Sequence, residues 1–201
     1  MIDTGVDDVE RRTLRLVAGM TIGAALLGGC AEEQPASDTL PTASAEAEPS
    51  DAGLPPLGPA DLPMPDEARI QDAEGAEAFV RYYIDLINRT STVMDATPLR
   101  EFSDDCLDCN RIAGAVEEDA AAGYRYQGGE LLITEIAPPL MREGTAEMAM
   151  SADQAALVVS DASNKVREDL SSPTYASLTG GAALSWDEQR ISWLITALTL
   201  E

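Results

Sequence analysis

Cysteine carries the strongest chemical signal in this sequence of 201 residues. The chain holds three cysteines and no histidine, which excludes histidine-based triads, histidine metal sites and histidine pH switches within it. Cys106 and Cys109 form a Cys-x-x-Cys pair. A zinc site would need two more ligands of the right type, and a haem attachment motif would have histidine where Asn110 stands. The sequence therefore predicts neither a metal site nor a cofactor.

Two interpretations of the Cys106 and Cys109 pair remain. Outside the cytoplasm a disulfide is the default state, and closing so short a loop stabilises a fold by only ~2 kcal/mol in the chain-entropy model. The alternative is a redox pair, because a thiol at a helix N-terminus has a lowered pKa. Asp104, Asp105 and Asp108 surround the pair and would raise that pKa, which favours the structural disulfide. The three carboxylates lack the Gly turn and Glu of a calcium loop and are interpreted as a solvated acidic turn.

The first part of the chain has the pattern of an export signal. An apolar run at residues 16–27 follows Arg11, Arg12 and Arg15. About a dozen apolar residues suit a signal peptide, whereas a membrane-spanning helix needs roughly 20. Arg11 and Arg12 also suit a twin-arginine signal, but Arg15 stands where that motif has an apolar residue, so the export route stays open.

The third cysteine closes this apolar run. Leu27-Gly28-Gly29-Cys30 resembles a bacterial lipobox, in which the cysteine thiol takes a diacylglyceryl group. Two acyl chains anchor a protein stably in a bilayer, whereas a single chain gives only marginal membrane binding. We predict a lipoprotein signal peptide at residues 1–29 and a lipid anchor at Cys30, on the outer face of the cell membrane. The alternative is an ordinary signal peptide with an unrelated cysteine.

The charge of the chain limits its partners. The formal net charge is −23, which repels phosphate backbones and argues against a nucleic-acid partner. It also repels anionic lipid headgroups, so any attachment to the bilayer must be covalent.

Residues 30–65 are rich in Pro, Ala and Glu. Their lack of periodicity and aromatic residues predicts a disordered tether, with an end-to-end distance of roughly 30–35 Å for a flexible coil. The alternative for the end of this stretch, residues 54–59, is docking against the domain, since Leu54, Leu57 and Leu62 interrupt its polarity.

Residues 66–201 contain enough chain for one folded domain. Apolar residues at three- and four-residue steps predict a helix over 72–90, a second helical segment begins at Thr97-Pro98, and a third helix is predicted over 107–122. Strands are then predicted at 131–136 and at 145–159, with a bulge or bend at 153–154. After a polar loop over 160–181, residues 182–187 and 191–200 form a predicted hairpin. We expect an α+β domain, with the N-terminal helices packed on a curved antiparallel sheet.

Several motifs are similar to those of a known family. They are the proline-rich residues 54–65, the segment 75–83, Cys106-x-x-Cys109, Gly123-Tyr124-Arg125-Tyr126-x-Gly128-Gly129 and Trp193-Leu194. Together they resemble actinobacterial lipoproteins whose domain has no assigned function. The order of elements resembles the nuclear-transport-factor-two-like cone fold. The resemblance covers nearly all of 54–201 and implies a cone-like domain, but it implies no particular chemistry, because the cone hosts isomerases, dehydratases and binding modules alike.

Aromatic side chains are the candidates for lining a cone cavity, although such residues more often form a core. The candidates are Phe79, Tyr83, Tyr124, Tyr126, Trp186 and Trp193. The sequence favours a non-catalytic domain that binds an envelope protein or a small apolar ligand, and it identifies no catalytic residue.

Two further interpretations remain open. One is a carboxylate-dependent lyase or isomerase, in which Tyr82 or Tyr83 would act with Glu135. The other is a structural module that forms a homodimer through its sheet.

Overall fold

The computed structural model describes residues 54–201. The predicted signal peptide, the predicted anchor at Cys30 and residues 31–53 of the predicted tether lie outside that range. A 3₁₀ turn at Asp66–Arg69 precedes three helices, α1 (Ala73–Val93), α2 (Thr97–Glu101) and α3 (Leu107–Ala121). Seven strands follow: β1 (Arg125–Gly128), β2 (Leu131–Ile136), β3 (Leu140–Arg142), β4 (Thr145–Gln154), β5 (Leu157–Ser160), β6 (Tyr175–Asp187) and β7 (Ser192–Leu200). No helix in 54–201 has the length and apolarity that crossing a bilayer requires.

The first helix forms where its periodicity predicts it. Asp72 is its N-cap, and the Asp72 carboxylate accepts a hydrogen bond from the Gly75 amide at 2.7 Å. The buried side of α1 carries the predicted apolar stripe, including Phe79, Val80 and Tyr83. Met94 ends the helix in a left-handed conformation.

The main sheet is antiparallel throughout. Its strand order is β2-β4-β6-β7, and β3 also pairs with β4. The pairing register shifts between β2 and β4, between β4 and β6, and between β6 and β7, and such bulges bend and twist a sheet. Gly180 lies where a Cβ atom would come within 2.0 Å of the Thr199 carbonyl oxygen, so only glycine fits that closely approached position. The expected α+β architecture, with helices on a curved antiparallel sheet, is confirmed.

The core lies between the helices and one face of this sheet. On β4, Ala146, Met148 and Met150 are buried while the residues between them are exposed. The segment after α2 joins β7: the Ile195 amide donates to the Phe102 carbonyl at 3.0 Å.

The chain path differs from the sequence prediction in two places. The predicted strand over 145–159 is two strands in different sheets, because β5 leaves β4 and pairs with β1. The predicted bend at 153–154 does occur, as a register shift opposite β6. Residues 175–181 belong to β6 and are not a loop. Their inner face is only half-buried, so apolar alternation, the signal used to predict strands, is weak there.

The end of the proline-rich stretch docks against the domain. Met64 is buried, and Leu57 and Leu62 pack against the core. The Met64 amide donates to the Leu57 carbonyl at 2.8 Å, which folds this segment back on itself. The folded part therefore begins before residue 66, and of the two sequence interpretations for residues 54–59, docking is the one observed.

Candidate functional site

Three of the aromatic pocket candidates are core residues. Phe79, Tyr83 and Trp193 are at most 1% exposed. The Tyr83 hydroxyl donates to the Leu99 carbonyl at 3.0 Å, and the Trp193 indole donates to the Ile70 carbonyl at 2.9 Å. Their rings fill the interior and their polar atoms are satisfied, so they cannot line a ligand cavity.

The other candidates lie at the margins of the core. Trp186 is half-buried and meets Trp193 edge to face across the β6–β7 hairpin, with ring centroids 5.2 Å apart. The Tyr126 hydroxyl donates to Asp119, and burial together with that carboxylate raises the pKa of Tyr126. Tyr124 lies under the Arg167 guanidinium, 4.9 Å from the ring centroid. None of the three is among the residues that line the cavity described below.

The groups required for a carboxylate-dependent isomerase do not meet in the described part of the chain. Its buried polar and charged side chains are Arg69, Thr90 and Ser192, with no carboxylate among them. Burial raises the pKa of Tyr83 to about 12, while its hydroxyl is already hydrogen-bonded. Glu135 is exposed on β2. Neither Tyr83 nor Tyr82, whose hydroxyl donates to the Leu62 carbonyl at 3.2 Å, is therefore placed to act with Glu135.

A cavity of about 330 Å³ lies between the helices and the sheet, beside the filled core. Its apolar walls come from α1, α3 and three strands, and its polar groups come mainly from the start of α3 and the ends of β4 and β7. The apolar residues are Ile87, Ile112, Leu131, Leu178, Leu198 and Leu200, and the polar ones are Asp108, Arg111, Gln154, Thr199 and Glu201. Ligand pockets typically measure about 300–1,000 Å³, so the size of this cavity suits a small ligand, and its lining is divided about equally between polar and apolar surface.

Asn88 positions one wall of the cavity. Its side-chain amide nitrogen donates to the Leu131 carbonyl at 2.9 Å, and its oxygen accepts from the Leu131 amide at 2.8 Å. This two-bond contact attaches the start of β2 to α1. Leu131 and Ile87, the residue before Asn88, both line the cavity.

The Cys106 and Cys109 pair lies at the start of α3, next to the cavity residues Asp108 and Arg111. The two sulfur atoms are 2.03 Å apart, at disulfide bonding distance. Both residues are buried, and Cys106 caps α3 by accepting a hydrogen bond from the Cys109 amide at 3.2 Å. Asp108 and Arg111, which follow on the same turns, form an ion pair at 3.1 Å at the rim of the cavity. Thiol–disulfide exchange needs access to a sulfur, so burial favours the structural interpretation over the redox one.

Sequence reasoning missed the aliphatic cavity because it searched for aromatic residues. Ile87 and Ile112 belong to the apolar faces of α1 and α3 that the sequence pattern predicts, and this is the signal that points to them. Leu178 lies in β6, where the sequence pattern predicts a loop. Whether these side chains leave a cavity between them depends on the distance between the helices and the sheet. The periodicity of apolar residues in the sequence contains no information on that distance.

No protein-family model and no curated protein matches this chain. Among solved structures, the intermembrane space region of the chloroplast protein ARC6 is similar, with 17% identity and a TM-score of 0.47, over 65% of this chain and 97% of that one. Aln2 from a Streptomyces species has 13% identity and a TM-score of 0.40, over 66% of this chain and 93% of that one. The beta subunit of a putative aromatic-ring-hydroxylating dioxygenase from Novosphingobium aromaticivorans has 13% identity and a TM-score of 0.28, over 61% and 88%. Sequence identities and TM-scores this low do not identify a function. Conclusions about function therefore depend on the geometry of the site.

Proposed function

We infer that this chain is an exported lipoprotein, anchored through Cys30, whose domain binds a small apolar ligand without transforming it. The observation that carries the binding role is the cavity of about 330 Å³ beside the core, with six aliphatic residues among those that line it. The anchoring role is supported by the lipobox-like Leu27–Cys30 and the apolar run before it. The acidic, proline-rich residues that follow would then act as a stalk between bilayer and domain.

The composition of the cavity supports a ligand with an apolar body and one polar end. Six of the lining side chains are aliphatic and would contact the apolar body, and burying apolar surface is favourable by roughly 25 cal/mol per Å². The polar groups at the rim are sufficient to orient one polar end of a ligand. Asp108 and Arg111 pair with each other there and Glu201 adds a negative charge, so the rim does not favour an anionic ligand.

The surroundings of the cavity support binding rather than catalysis. A general base in an apolar pocket is usually a buried carboxylate with a raised pKa. Here the carboxylates that line the cavity, Asp108 and Glu201, belong to its polar rim, and Asp108 already pairs with Arg111. The binding interpretation accounts for the lining residues without assigning any of them a reaction.

Binding of a neutral apolar fluorophore tests the proposal. Purified full-length protein is titrated with N-phenyl-1-naphthylamine, whose emission rises on transfer from water to an apolar site. We expect saturable binding by wild type and a loss of about tenfold or more in affinity for Leu198→Trp, since the larger ring occupies the cavity. Leu140→Trp is the control, because Leu140 is exposed on β3, away from the cavity.

The fold of each variant is checked by circular dichroism, and Ile112→Phe gives a second, milder way of filling the cavity. A wild-type protein that leaves the probe in water would contradict the proposal. So would a folded Leu198→Trp or Ile112→Phe protein that binds the probe as tightly as wild type.

A further inference from the structure

A second concave surface lies on the other side of α1, where the proline-rich segment crosses the helix. This groove, of about 450 Å³, has a largely apolar floor formed by Leu62, Pro63, Pro65, Ala78 and Tyr82. None of these residues lines the ligand cavity. The two sites are therefore separate, and the inference that follows does not depend on the proposed ligand.

The walls of the groove are fixed by internal contacts. The Tyr82 hydroxyl donates to the Leu62 carbonyl at 3.2 Å, and the Leu62 amide donates to the Pro59 carbonyl at 2.9 Å. Gly58 adopts a positive φ, and a Cβ atom there would come within 2.0 Å of the Tyr82 hydroxyl oxygen. A groove held in this way needs little ordering when a partner docks.

The charged residues on its rim differ in whether they have an ion-pair partner. Glu67, Arg81 and Asp85 border the floor. From its spacing, Asp85 could pair with an arginine one turn away on either side. Instead, the Arg81 guanidinium contacts Glu77 at 2.8 Å and Arg89 contacts Asp61 at 2.9 Å.

Residues 54–201 provide no ion-pair partner for Asp85. Its carboxylate is exposed at the edge of the groove, so a cation on a docked segment can reach it. An apolar floor beside an unpaired carboxylate selects a partner that is apolar and carries one positive charge. The chain's own residues 31–53 contain six acidic residues and no lysine or arginine, so charge repels them from this rim.

We propose that this groove docks an extended apolar segment of another protein, with one lysine or arginine of that segment paired to Asp85. The floor formed by Leu62, Pro63 and Tyr82 contacts the apolar side chains of the segment. The ion pair with Asp85 gives the groove a preference for a basic residue over an acidic one.

Two defined peptides test this docking. Each is a fluorescein-labelled octapeptide of Leu, Val and Ala flanked by Ser, with a central Lys in one and a central Glu in the other. Fluorescence anisotropy with full-length protein measures both affinities. We expect the Lys peptide to bind about tenfold more tightly than the Glu peptide, and added salt to reduce that difference.

Three variants show whether Asp85 and the apolar floor are responsible for binding. Asp85→Asn should bring the two peptides to similar affinity, and Ala78→Arg should abolish binding of the Lys peptide by obstructing the floor. Glu74→Gln, an exposed change in the first turn of the same helix, is the matched control and should alter neither affinity. Binding of N-phenyl-1-naphthylamine should be unchanged in all three, so that failure here is distinguishable from failure of the ligand proposal.

Equal affinity of wild type for the two peptides would overturn the inference, as would a preference for Lys that survives in Asp85→Asn. A third outcome that would overturn it is a wild-type dimer, seen by light scattering, that Ala78→Arg converts to monomer. That result would assign the groove to a second copy of the chain.

Discussion

Asn88 on α1 and Leu131 at the start of β2 are joined by two hydrogen bonds of 2.9 and 2.8 Å, so a side-chain amide takes the place of a neighbouring strand. Replacing Asn88 by Ala leaves a half-buried carbonyl and amide without partners. We expect a loss of about 1–3 kcal/mol in the free energy of unfolding, measured by urea denaturation. Thr92→Ala, an exposed change on the same helix, is the control and should cost less than about 0.5 kcal/mol. Equal losses in the two variants would contradict the assigned role.

Arg69 connects the proline-rich segment to the β6–β7 turn. Its guanidinium is buried and donates to the carbonyls of Pro55, Arg190 and Ile191 at 2.7–3.3 Å. Arg69→Met retains much of the side-chain volume but leaves three carbonyls without this donor, and we expect a loss of roughly 2–4 kcal/mol in urea denaturation. Arg125→Met changes an exposed arginine on β1 and should shift stability by no more than about 0.5 kcal/mol. If Arg69→Met is as stable as Arg125→Met, these bonds do not fasten the segment.

Stability should decline in alkali. The folded-state pKa of Tyr83 is raised to about 12 from its ordinary value of 10.0, chiefly by burial. A group with a raised pKa contributes its full stability below the unfolded pKa and loses it as the pH rises towards the folded value, so the loss falls between pH 10 and 12. Urea midpoints measured from pH 8 to 12 should fall less steeply in Tyr83→Phe than in wild type, although the variant starts lower because it lacks the hydrogen bond to Leu99. Parallel curves would show that Tyr83 does not contribute.

The Cys106 and Cys109 bridge should stabilise the domain only modestly. Replacing both residues by Ala removes a very short loop and should lower the free energy of unfolding by ~2 kcal/mol. Because both sulfurs are buried, dithiothreitol should reduce wild type much faster in urea than in its native state. Thiol labelling after timed exposure to the reductant measures both rates. Rapid reduction of the native protein would instead support the redox interpretation.

The anchor proposal gives a prediction in cells. Cys30→Ala removes the thiol that would carry the lipid, so the protein should appear in the medium or as unprocessed precursor, and it should no longer incorporate labelled palmitate. Cys106→Ala keeps Cys30 and should still be labelled and bound to the membrane. A Cys30→Ala protein that remains labelled and membrane-bound would rule out this anchor.

Local patterns in the sequence were sufficient for the helices and the last hairpin. Apolar residues such as Phe79 and Tyr83 recur with helical period, and the Trp186 and Trp193 arms flank a short turn, so each element is specified by residues close to it in sequence. The same reasoning failed at residues 175–181. That part of β6 lies at the margin of the sheet, where half-burial on the inner face weakens the alternation.

The sequence by itself determined the α+β class, the acidic character and the order of the elements, because composition and periodicity are properties of neighbouring residues. Only the tertiary structure decided that Trp193 fills the interior while Leu131 and Leu198 border a space. It also decided that Asp85 has no partner among the described residues while both neighbouring arginines pair elsewhere. Empty volume and charge pairing depend on how distant segments pack together, and no local pattern records that distance.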